Sequence, residues 1–223
     1  MKQHKQLWAT LGLLFITFLA AIQYVFLRNV PSSVSSFAFV CITNLIGLVI
    51  LGVLQIKKIV KIKGKTLKKG IILAVELTGM NVFILLGSRH LDAVIISSTV
   101  SLYFVFITPI LLLLRKKINF FSSVATVIAI LALLLMFGAD TDKLFSSVDV
   151  VYLIIADIFF ASYVVSVSIL GEGEDTPQLT FSQMLFSACF AFIGWLVDNA
   201  INGKPLVLPT QTSFWNSALF IGV

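Results

Sequence analysis

The chain has 223 residues, of which 59% are hydrophobic and only 12% are charged, and its mean hydropathy is +1.06. A soluble domain carries about 25% charged residues, so this composition excludes an ordinary soluble protein and indicates an integral membrane protein. The formal charge of +6 lies mostly in short loops, where it indicates orientation across a membrane and not nucleic-acid binding. The two cysteines and two histidines have no disulfide or metal-ligand spacing, and we expect no cofactor and no metal.

Apolar runs long enough to cross a bilayer recur along the chain, separated by polar or basic loops. A helix rises ~1.5 Å per residue and the hydrocarbon core is ~30 Å thick, so about 20 residues suffice for a span. The first run is too long for a signal peptide and no cleavage site follows it, so we interpret it as a retained span. The seven predicted spans are residues 7–27, 36–56, 70–88, 93–114, 120–138, 150–170 and 180–200.

An eighth apolar segment begins at Ser213 and runs to Val223. As a helix it would be about 17 Å long, too short to cross a bilayer. We therefore expect the sequence to stop within an eighth span, either as a fragment or as a truncated gene product.

Basic residues are distributed unevenly between the two sets of alternating loops. If the N-terminus is cytoplasmic, three quarters of the 16 Lys and Arg residues lie on the cytoplasmic side, including the lysine-rich loop 57–69. The positive-inside rule therefore predicts a multi-pass protein of the plasma (inner) membrane with a cytoplasmic N-terminus.

The fourth predicted span has two features that crossing a membrane does not require. One is Pro109, which cannot donate to the Val105 carbonyl, so we expect the helix to kink or loosen there. Lipid cannot satisfy the freed backbone groups, so such a helix belongs inside a bundle or against a water-filled cavity. The other is a cluster of hydroxyl side chains, formed by Ser97, Ser98, Thr99 and Ser101.

A weak internal similarity relates the first span to the sixth. Aligning Tyr24 with Tyr163 also brings Pro31 near Pro177. A unit of five spans is odd, so a second copy would enter the membrane from the opposite side, as in transporters built from inverted repeats. We therefore expect residues 1–145 to form a five-helix repeat, and residues 146–223 to form an incomplete second repeat with helices six, seven and the start of eight.

With these spans, the proline in the fourth helix and the repeat, the chain resembles the EamA-like branch of the drug/metabolite transporter superfamily. The resemblance is strongest over residues 85–138, where a hydroxyl-rich segment precedes Pro109. The family's fifth helix has two glycines seven apart; here Ala125 and Ala132 keep that spacing with Ala129 between them, a weaker form of a small-residue packing stripe.

The chain also departs from the family pattern. The family's acidic residue after helix four falls at about Lys116, and its Trp-Gly pair in helix one and its arginine in helix two are absent. The resemblance implies an all-α polytopic membrane protein of ten helices in two inverted five-helix repeats, which exports small metabolites or amphipathic compounds by alternating access.

Polar side chains within the spans are the candidate substrate-binding residues, because they are costly in lipid and mark transport pathways. Glu76 in the third span is the strongest candidate, since a charged carboxylate there costs roughly 2.5–3.5 kcal/mol on insertion scales. Asp157 in the sixth span is the second acidic candidate. The other candidates are Gln23, Tyr24, Asn81, Ser97, Ser98, Ser101, Tyr103 and Tyr163, and Pro109 is assigned a conformational role.

For each of these residues, packing or a hydrogen bond within the helices is the alternative explanation. We interpret the protein as a carrier of a small-molecule substrate in a lipid bilayer, either coupled to protons or facilitated, with no enzymatic activity and no nucleic-acid partner. A homodimer is left open. Two alternative functions also stay open: a non-transporting or inactive truncated membrane protein, and a membrane-embedded enzyme, which would need clustered ionisable residues.

The predicted orientation can be tested by labelling single cysteines, in a background without Cys41 and Cys189. We expect Lys61→Cys to react with a membrane-impermeant maleimide only after the membrane is opened, because loop 57–69 is predicted to be cytoplasmic. Ser33→Cys, in a loop predicted to be external, should react in intact cells. Labelling of Lys61→Cys from outside would contradict the orientation.

Overall fold

The computed structural model describes residues 2–116, 124, 126–128, 131, 148–203 and 205–222. Within these residues the chain forms helices and turns, with no strand, and six helical segments are long and apolar enough to cross a membrane. They correspond to predicted spans one to four, six and seven, which confirms a helical membrane protein. Most of the predicted fifth span, including Ala125, Ala129 and Ala132, lies outside the described residues.

The described residues form eight helices, numbered here in chain order. The helices are α1 Lys2–Arg28, α2 Ser36–Ile59, α3 Gly64–Gly87, α4 Ala93–Val100, α5 Tyr103–Leu113, α6 Val148–Leu170, α7 Thr176–Ile201 and α8 Thr212–Gly222.

Several helices extend beyond the apolar runs that predicted them. Helix α3 begins at Gly64, six residues before the predicted span, because lysines are good helix formers and need not lie in the hydrocarbon core. Helix α7 begins at Thr176, with Pro177 in its first turn. A proline is tolerated there because the first-turn N–H groups have no partner within the helix.

The fourth predicted span is interrupted, but not at the expected place. Helix α4 ends at Val100, Ser101 and Leu102 form a turn, and α5 then runs through Pro109 to Leu113. The Ser101 hydroxyl donates to the Ser97 carbonyl at 2.7 Å, a contact that competes with backbone hydrogen bonding and bends helices. The expected loosening around Pro109 therefore lies about two turns earlier in the chain.

The centre of the bundle consists of α2, α3, α6 and α7. Helix α2 packs along α7, and α3 packs between α6 and α7, while α8 lies on α1 and α2, and α4 and α5 lie on α6. Small residues allow the close approaches: a Cβ atom at Gly70 would collide with Ser182, and one at Gly194 would collide with the Phe37 ring. Such contacts are typical of membrane helices, where packing and hydrogen bonds replace the hydrophobic effect as the source of association.

One end of the bundle is closed by a partly buried ionic contact between the first turns of α3 and the α6–α7 connection. The Lys69 ammonium lies 2.7 Å from Glu174 and donates to the Leu170 carbonyl at 2.8 Å, and the Thr66 hydroxyl donates to Glu174 at 2.7 Å. These hydrogen bonds, first that of Lys69 and then that of Thr66, hold the pKa of Glu174 below its ordinary value of 4.5. The loops 57–69 and 171–178 therefore share one end of the bundle, as the alternation of the predicted spans requires.

At the opposite end, the ion pair is more exposed. Arg28 lies 3.0 Å from Asp92, with both side chains more than half exposed, and His90 Nδ1 lies within hydrogen-bond distance of Asp149, at 3.1 Å. Exposed pairs of this kind contribute about 0–1 kcal/mol. The Lys69–Glu174 contact is thus the more important of the two closures.

We expect Glu174→Gln to lower the midpoint of thermal unfolding at neutral pH, because the carboxylate accepts hydrogen bonds from both Lys69 and Thr66. A lowered pKa stabilises the folded state above the ordinary value of 4.5, and this stabilisation is lost as pH falls through the folded-state pKa. The difference in unfolding midpoint between the wild type and Glu174→Gln should therefore become smaller below pH 4.5. Glu172→Gln, at an exposed position of the same loop, is the control and should change little; an equal effect of both variants would contradict this assignment.

Candidate functional site

A hollow of about 240 Å³ lies between α1, α2, α3, α7 and α8. The sequence-predicted residues Gln23 and Asn81 both line it, although 58 positions separate them in the chain. A wider groove of about 760 Å³ between α1 and α8 shares Gln23 with this hollow. Gln23 therefore borders both spaces.

The walls of the 240 Å³ hollow combine neutral polar groups with apolar side chains. Asn44 donates to the Val40 carbonyl at 2.7 Å, which holds its amide against α2. Gln183 of α7 is mostly buried, with 7% of its surface exposed. No charged side chain is among the described residues of the lining, which are Gln23, Leu27, Phe39, Val40, Thr43, Asn44, Leu77, Asn81, Ile84, Thr180, Gln183, Met184 and Ile221.

Tyr163, another predicted site residue, is joined to the hollow through Gln183. The Gln183 amide nitrogen lies 3.0 Å from the Tyr163 hydroxyl, which in turn lies 3.3 Å from the Gln183 amide oxygen. This contact links α6 to α7 and extends the polar wall towards α6.

Glu76 lies on a different face of α3 and points to α6 instead of the hollow. One of its carboxyl oxygens accepts hydrogen bonds from Ser162 at 2.6 Å and from Ser166 at 2.8 Å. The other oxygen is buried, without a hydrogen-bond partner among the described residues. Five residues of helix turn by about 140° beyond one full circle, which explains why Asn81 reaches the hollow and Glu76 does not.

Asp157 is the most deeply buried acidic side chain of the described chain. It is 0% exposed, and neither of its carboxyl oxygens has a hydrogen-bond partner in the described part of the structure. Tyr24 of α1 packs against the same apolar core as Phe160 of α6, and the Tyr103 ring lies 4.1 Å from the Phe160 ring between centroids. Phe160, which is three residues after Asp157 on α6, therefore lies close to Tyr103 and borders the core that Tyr24 covers.

The hydroxyl cluster of α4 divides in an unexpected way. The side chains of Ser97 and Ser98 donate to the Val94 carbonyl at 3.0 and 2.6 Å, and Ser101 bonds to Ser97. Thr99 is instead only 1% exposed, and its hydroxyl has no partner among the described residues. Pro109 is exposed on α5. The three predicted serines thus hydrogen-bond to their own helix, as the alternative explanation for them anticipates.

Sequence reasoning missed several residues that the structure brings together here. Asn44 and Gln183 are amides within apolar spans, so the criterion that selected Asn81 would have found them. Ser162 and Ser166 are spaced four apart and therefore share a face of α6, a weaker signal that becomes visible only once Glu76 is known to face them.

No protein-family model matches this chain, and no curated protein matches it. Its function is therefore inferred from the helices and from the polar groups that they bring together.

The contact between α3 and α6 can be tested by removing both hydroxyls that reach Glu76. We expect Ser162→Ala with Ser166→Ala to destabilise the protein by about 1–3 kcal/mol, because a partly buried carboxyl oxygen within the bundle loses both donors. Ser168→Ala is the control: Ser168 is on the same helix, and its hydroxyl bonds to the Val165 carbonyl of that helix. Thermal unfolding in detergent measures both, and equal losses would contradict the assigned contact.

Proposed function

We propose that this protein is a transporter of the drug/metabolite transporter superfamily, EamA-like branch, which exports small metabolites or amphipathic compounds across the plasma (inner) membrane. The single observation that carries the proposal is a hollow among membrane-spanning helices, lined by Gln23, Asn44, Asn81 and Gln183. Amides inside a bilayer are costly unless they face protein or a polar occupant. A hollow with several such groups is what a substrate path requires.

The pairing of the helices supports two inverted repeats, residues 1–145 and 146–223. Under such symmetry α1 exchanges with α6, α2 with α7 and α3 with α8. The contact between α3 and α6 should then recur as a contact between α8 and α1, and the contact between α3 and α7 should recur as a contact between α8 and α2. Both of these contacts occur. The contact between α2 and α7 needs no second copy, because the symmetry interchanges these two helices and leaves their contact in place. This pattern supports alternating access by rocking of one repeat against the other.

The chemistry of the hollow favours a substrate with neutral polar groups and an apolar body. Its polar lining consists of amides and hydroxyls, and the rest is apolar, including Phe39, Leu77 and Ile84. Binding sites for small molecules usually combine such apolar walls with a few polar groups that orient the ligand. This composition fits amphipathic compounds better than strongly charged ones.

Protons are the coupling ion in this proposal, and Glu76 is the group that carries them. One oxygen of Glu76 has two serine donors and the other is buried without a partner among the described residues, so a proton on that oxygen removes the cost of a buried charge. Ser162, which donates to Glu76, is the chain neighbour of Tyr163, and Tyr163 hydrogen-bonds to Gln183 in the lining of the hollow. This adjacency on α6 supports a coupling between the proton site and the substrate site.

The interruption of the fourth span provides a place for conformational change. Helices α4 and α5 meet at Ser101 and Leu102, and both pack on α6. At this turn Leu102 and Val105 donate to carbonyls three residues earlier, at 2.8 Å each, so the helix is locally tightened. Such a stretch between two short helices, with Pro109 weakening α5 further, is a place where they can tilt relative to each other. No enzymatic step is part of this proposal.

The experiment that tests the function is transport of a panel of labelled amphipathic metabolites by the full-length protein in vesicles, with and without a pH gradient. We expect Glu76→Gln to abolish gradient-driven movement, since a glutamine cannot carry the proton, while membrane insertion stays intact. Asp92→Asn, which removes an exposed carboxylate paired with Arg28, is the control and should transport normally.

Unchanged pH dependence in Glu76→Gln would contradict the coupling role of Glu76. A wild-type protein that moves no member of a broad panel, with or without the gradient, would instead favour a non-transporting membrane protein.

A further inference from the structure

The connection between α2 and α3 has features that crossing the membrane does not require. Seven lysines lie within residues 56–69, a segment named here the lysine hairpin. Helix α2 loses helical geometry at Gln55, where φ is −124° and ψ is 23°. The turn of helix after Gln55 is therefore not a straight continuation of the span, and the hairpin begins at this kink.

Two of the seven lysines have acidic partners on the α6–α7 connection. Lys69 pairs with Glu174 at 2.7 Å and Lys58 with Asp175 at 3.5 Å. The other five are exposed and make no ion pair or side-chain hydrogen bond within the described structure; they are Lys57, Lys61, Lys63, Lys65 and Lys68. The hairpin thus presents a surplus of positive charge that the described part of the chain does not neutralise.

Apolar side chains alternate with these lysines and are exposed as well. Val60 is 77% exposed and Ile56 is 54% exposed. Exposed aliphatic side chains next to unpaired lysines are typical of a segment in the membrane interface, where apolar groups enter the acyl region and ammonium groups reach the headgroups. In water, the same exposure would be unfavourable.

We propose that the lysine hairpin is a binding surface for anionic phospholipid headgroups of the leaflet next to it. A cluster of four to eight basic residues beside a membrane helix attracts anionic lipid, and each lysine adds to the attraction. Orientation of the chain requires the positive charge alone and does not require the kink at Gln55 or the exposed Val60, which lies beyond the predicted span 36–56. A soluble anion would leave the Val60 side chain in water, so the lipid is the occupant that satisfies both features.

The lipid is expected to stabilise the end of the bundle that the Lys69–Glu174 contact closes. Headgroups bound by the five free lysines hold the α2–α3 connection at the membrane surface, close to its ion pairs with the α6–α7 connection. This stabilising role of the lipid does not depend on transport, so it can be measured without a transport assay.

The test is thermal unfolding of the full chain in neutral detergent, titrated with phosphatidylglycerol or with phosphatidylcholine. We expect phosphatidylglycerol to raise the midpoint of unfolding and phosphatidylcholine to have a much smaller effect. A variant with all five free lysines replaced by glutamine should need at least about tenfold more phosphatidylglycerol for half of its shift. The matched variant with five arginines keeps the charge and should respond like the wild type.

Two outcomes would overturn the proposal. One is an undiminished response of the five-glutamine variant to phosphatidylglycerol. The other is an equal stabilisation by inorganic phosphate at the same ionic strength, which would identify a site for a soluble anion. Val60→Gln tests the apolar contribution to lipid binding separately from the charge. A weaker response of this variant to phosphatidylglycerol supports insertion of Val60 into the membrane interface, and an unchanged response contradicts that insertion.

Discussion

The hydrocarbon core of a membrane offers no hydrogen-bond partner, and this constraint accounts for the polar contacts within the spans. A polar side chain there can bond to its own helix, as Thr43 does with the carbonyls of Phe39 and Val40 at 3.0 Å. It can bond to a neighbouring helix, as Thr78 does with Ser187 at 2.8 Å. It can also face a hollow, as Asn81 does. Only the third arrangement leaves a group available to a substrate.

The two intramembrane carboxyl groups illustrate different solutions to the same constraint. Glu76 has two serine donors from α6 on one carboxyl oxygen, so it stabilises the α3–α6 contact, while its other oxygen has no partner among the described residues. Asp157 has no partner among the described residues, and its burial is not compensated by any hydrogen bond there. Unsatisfied buried groups are rare in folded proteins and mark functional positions more often than structural ones. In our proposal Glu76 is the group that carries the proton.

The lysines at one end of the bundle have two separate roles. Lys69 is largely buried, and its contacts with Glu174 and Leu170 tie together two connections that are far apart in the chain. The free lysines of the hairpin face outwards beside exposed aliphatic side chains. A single basic loop therefore closes the bundle on one side and, in our proposal, binds lipid on the other.

What the sequence by itself determined is six of the predicted membrane spans and the two acidic residues within them, because hydropathy and helix length are local properties that survive any packing. The partners of those residues were decided only by the tertiary structure. Glu76 and Ser162 are 86 positions apart, and Gln23 and Asn81 meet because α1 and α3 border the same hollow. The break at Ser101 and Leu102, and the inward position of Thr99 rather than of the neighbouring serines, likewise depend on how α4 and α5 pack against α6. Side-chain direction on a helix follows from rotation about its axis, and neighbouring helices, not the local sequence, set that rotation.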